Sequence, residues 1–151
     1  HSLPVEDIAM RCKHLFLEKG YDLSDENKYQ LAIAVARERC TLLNEIVDYC
    51  KMFYQPEELK NDDIKTLLAP EAQKVLAWFA TNLPILSAWD TESIQNLVNS
   101  GIAELGIKGK KFYTPLRLAL IHQQHGPELP STFIILGKEE SIKRLQQYLP
   151  S

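Results

Sequence analysis

No stretch of this 151-residue chain alternates apolar and polar residues convincingly with the period of two that a half-buried strand requires. Phe133-Ile134-Ile135-Leu136 is the one strand-like run, and Gly137 cuts it short. No apolar run approaches the roughly 18 residues of a membrane span, so no membrane partner is expected. No initiating Met and no signal-peptide pattern stand at the start. His1-Ser2 reads as the remnant of a cleaved tag, and the chain as a piece of something longer. Cysteine is scarce: Cys12, Cys40 and Cys50 form no Cys-x-x-Cys pair, and all three fall in helical patterns. They read as free thiols of a cytosolic protein rather than as disulfides or metal ligands.

The usual marks of catalysis are missing as well. There is no Gly-rich phosphate loop and no nucleophile with a recognisable base. His122 and His125 have a spacing that suits one metal ion on a helix, but no third ligand lies nearby and Gly126-Pro127 breaks the helix at once. The acidic pairs Glu57-Glu58 and Asp62-Asp63 read as solvated linker. No catalytic residues and no metal site are expected.

A different absence points to function. From Leu105 to Pro127 there is no Asp or Glu, yet Lys108, Lys110, Lys111 and Arg117 are there, with His122, His125, Phe112 and Tyr113. The remainder carries 13 Lys and Arg against 20 Asp and Glu, within a net charge of −3. An acidic chain with one acid-free basic window, two aromatics and a Gly-Pro corner suits a local, shaped contact with a polyanion. Cations neutralise phosphates and rings accept unstacked bases. A solvated turn carrying lysines is the competing reading.

Around that window the chain reads as all-α. Pro4 and Gly20 bracket a first helix; Ser24 or Asp25 caps a second, over about 26–39; Thr41 caps a third, with Glu45 one turn on. A short helix is expected over 64–68 and a longer one from Pro70 through Leu83. Thr91 is expected to cap a helix ending at Gly106, with Trp89 as its apolar anchor. Thr114-Pro115 reads as cap plus first helical residue, Ser131 as the cap of a helix stopping at Gly137, and Glu139–Leu149 as the last helix.

Lys108-Gly-Lys-Lys-Phe-Tyr-Thr-Pro-Leu-Arg-Leu-Ala-Leu, then His125-Gly-Pro-Glu-Leu, Leu136-Gly-Lys-Glu and Arg144-Leu145, strongly resemble the C-terminal part of bacterial-type glutamyl-tRNA synthetases. The resemblance is specific over about forty residues and looser before them. It implies an all-helical anticodon-binding region of two packed helical subdomains, expected here at 1–86 and 87–151. A class I catalytic domain, absent from this chain, would carry ATP with magnesium and attach glutamate; no cofactor is implied for the part in hand. The implied partners are the anticodon stem-loop of glutamate tRNA and the enzyme's own catalytic domain, in a cytoplasmic monomer.

Carried over residue by residue, the resemblance places Arg117, and the corner of Gly126, Pro127 and Leu129, at the anticodon bases. Arg39 falls where the family often has an arginine on the first anticodon base. Lys108, Lys110 and Lys111 would face phosphates. Where many relatives have Thr-Gly after Ala-Leu, this chain has Ile121-His122. The competing readings are that Arg117 caps a helix end or pairs with an acid, that Leu129 is core, and that the chain is a helical protein–protein module.

Overall fold

The computed structural model describes residues 3–151; His1 and Ser2, read above as a tag remnant, lie outside them. The described residues form nine α-helices and one 3-10 turn, with no strand. They fall into two compact units that divide between Glu57 and Glu58. None of the helices is long and apolar enough to cross a membrane.

The first unit packs α1 (Val5–Glu18), α2 (Glu26–Ala36) and α3 (Leu43–Tyr54) against one another. Its centre is aromatic. Phe16 meets Tyr21, Tyr29 and Tyr54 edge-on, while Tyr21 and Tyr54 stack at 5.2 Å. The Tyr29 hydroxyl donates to the Ala9 carbonyl, tying α2 to α1, and burial pushes the Tyr29 phenol up. Cys12 and Cys50 are fully buried free thiols and Cys40 is half-buried.

Side chains cap α2 and α3, though not always from the expected residue. Asp25 accepts from the Lys28 amide at the start of α2. At α3 the work falls to Glu45, whose carboxylate accepts from the Thr41 and Leu42 amides, so the N-cap is Leu42 rather than Thr41. A longer side chain reaching back replaces the hydroxyl reaching forward.

The second unit holds α4 (Asn61–Leu68), α5 (Pro70–Asn82), a 3-10 turn (Leu83–Ile85), α6 (Thr91–Leu105), α7 (Lys110–Ile121), α8 (Leu129–Leu136) and α9 (Lys138–Gln146). Helix α5 is central, packing on α4, α6, α7 and α9. Phe79 on α5 meets Phe112 of α7 at 5.7 Å and Phe133 of α8 at 5.9 Å, all three fully buried. Helix α6 approaches closely at Gly101, where any Cβ would stand 3.0 Å from the Trp78 ring.

Asp90, not Thr91, caps α6 by accepting from the Ser93 amide. Trp89 anchors that end as expected, packing edge-on to Phe133 and donating its indole N–H to the Phe133 carbonyl. The run 133–136 is helical because its apolar residues lie inside α8, where Phe133, Ile135 and Leu136 are buried. The subdomain division expected between 86 and 87 falls inside this unit. Leu83 is fully buried, its turn packs on α5 and α9, and Lys138 Nζ donates to the Leu86 carbonyl at 2.9 Å.

Candidate nucleic-acid interface

Helix α7 carries the basic window. It begins at Lys110, five residues before Pro115, rather than at Pro115 itself. Proline disfavours helix just before it and forfeits a ladder bond. Against that stands Phe112, which lies in the first turn of the helix and is fully buried against Phe79. Gly109 makes this start possible. It turns the chain at φ 64°, and its carbonyl accepts from the Phe112 and Tyr113 amides.

The far end of α7 is also pinned. His122 adopts a left-handed conformation at φ 58°, ending the helix where the resemblance calls for glycine. Its Nε2 lies 3.0 Å from the Tyr148 hydroxyl, so the residue left unassigned by sequence has a structural partner. Arg144 on α9 donates to the Leu120 carbonyl and pairs with Glu140 at 2.8 Å. Two motifs of the resemblance, Leu-Gly-Lys-Glu through Lys138 and Arg-Leu through Arg144, therefore hold backbone within this unit.

Between these ends, Phe112, Leu116, Ala119 and Leu120 face inward. Lys110, Lys111, Tyr113, Thr114 and Arg117 are exposed or half-buried. Tyr113 and Arg117 are four residues apart and so share a face. The Arg117 guanidinium sits 5.6 Å from the Tyr113 ring centroid, and its Nη2 donates to the Pro127 carbonyl at 3.4 Å. The Nε of Arg117 is buried without a hydrogen-bond partner. The arginine and the Gly126-Pro127 corner are thus one assembly. Pro127 is buried while Gly126 is exposed. Leu129 is 2% exposed and opens α8, so it shapes the corner from within.

Hollows flank this assembly. One of about 300 Å³ is lined by Lys110, Tyr113, Thr114, Arg117, Gln124 and His125. Another of about 260 Å³ is lined by Gln95, Tyr113, Arg117, Glu128 and Leu129. Tyr113 and Arg117 belong to both and form the wall between them. A third, of about 370 Å³, opens at the elbow between α4 and α5 and shares Lys110, Thr114 and Gln124 with the first.

The remaining expected residues are placed as follows. Lys108 and Lys110 are exposed. Lys111 is exposed too and pairs with Glu71 of α5 at 3.7 Å. Arg39 lies in the first unit, exposed in the turn after α2. Burial pushes the Tyr49 phenol up, and the Arg39 charge works against that rise. Gln95, Gln124 and Glu128 carry no signal in the sequence. Tyr113 does, as an aromatic one helical turn before the arginine.

A family described as the anticodon binding domain matches residues 7–149. A glutamate–tRNA ligase from Exiguobacterium sibiricum is 37% identical over 117 residues, covering 77% of this chain and 24% of that protein. A glutamate–tRNA ligase sequence from Staphylococcus xylosus is 30% identical over 118 residues, covering 78% of this chain and 98% of the relative. The solved glutamate tRNA ligase from Elizabethkingia meningosepticum, in complex with its amino acid, superposes with a TM-score of 0.82 at 26% identity. That likeness covers 97% of this chain and 29% of the other. The chain thus spans about a quarter of the Exiguobacterium ligase and under a third of the Elizabethkingia one.

Proposed function

This chain belongs to the anticodon binding domain family, and from that premise we propose that it reads the anticodon loop of glutamate tRNA for a glutamate–tRNA ligase. The observation that carries the reading is the assembly of Arg117, Tyr113 and the Gly126-Pro127 corner, with a hollow on either side. Unstacked bases are recognised on their edges by arginine and backbone groups, and on their faces by aromatic rings. A corner already held by Arg117 offers those groups without an ordering cost at the moment of binding. Lys108 and Lys110 stand exposed for phosphates. Arg39 contributes a contact to the first anticodon base from the first unit. Glutamate activation with ATP and magnesium belongs to a catalytic domain elsewhere in the full-length ligase, a cytoplasmic monomer.

The test is an NMR titration of the chain with a hairpin carrying a glutamate anticodon, beside a hairpin with a scrambled loop. Amide shifts over 108–129 and around Arg39, larger for the matched loop, are expected. Equal responses to both hairpins would remove anticodon reading. Binding to a protein partner that is insensitive to salt would favour a helical docking module instead.

A further inference from the structure

The hollow at the α4–α5 elbow shares Lys110 with the phosphate-facing set, but Thr66, Ala69, Glu71 and Ala72 in its lining have no role so far. Buried Ala72 and Pro115 form its floor, with exposed Ala69, Lys110, Lys111 and Glu71 at its rim. An apolar floor suits the face of a base or ribose, and a lysine rim suits the phosphates on either side of it. The hollow is not isolated. Lys110, Thr114 and Gln124 separate it from the hollow beside Arg117 and line both. A strand of RNA leaving the Arg117 site along α7 therefore meets this second depression next.

We propose that the elbow hollow is a further nucleotide site, holding an RNA residue that flanks the anticodon. Glu71 acts there as a stand-in for phosphate. Its carboxylate pairs with Lys111 at 3.7 Å, with both side chains more than half exposed. An exposed pair of this kind is weak, so an arriving phosphate displaces Glu71 from Lys111 at little cost. The acid offsets the Lys111 charge until RNA is present, leaving Lys110 as the rim's one uncompensated cation, and opposes anions that bring no base for the floor. The inference rests on the anticodon-reading proposal and extends its footprint to a surface some forty residues distant in sequence.

The same hairpin titration tests both readings separately. Amide shifts over 66–72 alongside those over 108–129 are expected. Shifts over 108–129 with none over 66–72 would overturn the elbow site and leave anticodon reading intact; no selective shift in either region would overturn both. Exposed-residue variants make the test independent of shift propagation. Glu71→Gln should strengthen hairpin binding roughly two- to fivefold, the scale of one surface pair. That gain should vanish in a Lys111→Ala background. Thr66→Glu, which adds an anion at the rim, should weaken binding roughly threefold or more. A Glu71→Gln gain that persists without Lys111, or a neutral Thr66→Glu, contradicts the site.

Discussion

Arg117 donates to the carbonyl of Pro127 across 3.4 Å, so the arginine assigned to the bases also holds the corner beside them. The bond to a loop carbonyl is neither the helix-end cap nor the acid pair expected as alternatives to a base contact for Arg117. The bond to Pro127 is long and engages only Nη2, so it holds the corner without using the whole guanidinium.

Arg117→Ala should cost roughly 1–3 kcal/mol of hairpin binding, the scale of one base-reading arginine, together with a small fall in melting temperature. Arg117→Lys keeps the charge and loses the planar fork, so it should recover little of the binding. Isothermal titration with a matched melt separates the two effects. Full binding by either folded variant would take Arg117 out of the site.

Lys108→Ala should weaken matched and scrambled hairpins alike and reduce the slope of log affinity against log salt by about one. Fluorescence titration at several salt concentrations reads this directly. A change in preference between the two hairpins would show that Lys108 touches a base.

His122 occupies a conformation that few side chains tolerate. His122→Gly should be close to neutral, because relief of a left-handed backbone offsets loss of the Tyr148 contact, each about 1 kcal/mol. His122→Val, branched at Cβ, should lower the melting temperature by several degrees. Equal melts for the valine variant and the parent would rule out the left-handed end of α7.

Arg144→Ala should destabilise the second unit by roughly 1–3 kcal/mol, because it strips the Leu120 carbonyl of its donor. Arg144→Lys should not restore it fully, since one ammonium replaces a fork that also reaches Glu140. Urea denaturation measures both. Hairpin preference should be unchanged in whatever fraction remains folded.

The caps carry a pH signature. Backbone N–H bonds hold the Asp90 carboxyl below its ordinary value, chiefly that of Ser93, and the Leu42 and Thr41 amides do the same for Glu45. A depressed carboxyl stabilises the fold above its unfolded-state pKa and loses that contribution as pH falls through the folded one. Asp90→Asn keeps an N-cap acceptor without the titration. It should match the parent at neutral pH and lose less melting temperature as the pH falls below about 4, the ordinary aspartate range. Parallel acid losses would contradict the cap.

Much of this architecture could be read from single residues. Gly106 ends α6 in the left-handed conformation its chemistry favours, and Pro70 opens α5 at a first-turn position. Errors arose where local preference competes with burial or with a better acceptor nearby. Phe112 draws α7 back past Pro115, Asp90 outcompetes Thr91, and Glu45 reaches over Thr41. Arg117 and the Gly126-Pro127 corner were legible through resemblance, yet their mutual bond was not. Glu71 and Thr66 left no trace beside α7 in the sequence, because packing alone brings α4 and α5 to it.

The pinning of α7 at Gly109 and at His122 makes the proposed recognition a matter of phase. Tyr113 and Arg117 point where they do because a set number of residues separates them from a fixed start. One residue inserted between Gly109 and Tyr113 would swing both side chains about 100° around the helix axis. Their identities and charges would be untouched while the wall between the two hollows turned away. Substitutions in α7 are therefore tolerated or not by chemistry, but changes in its length are judged by angle.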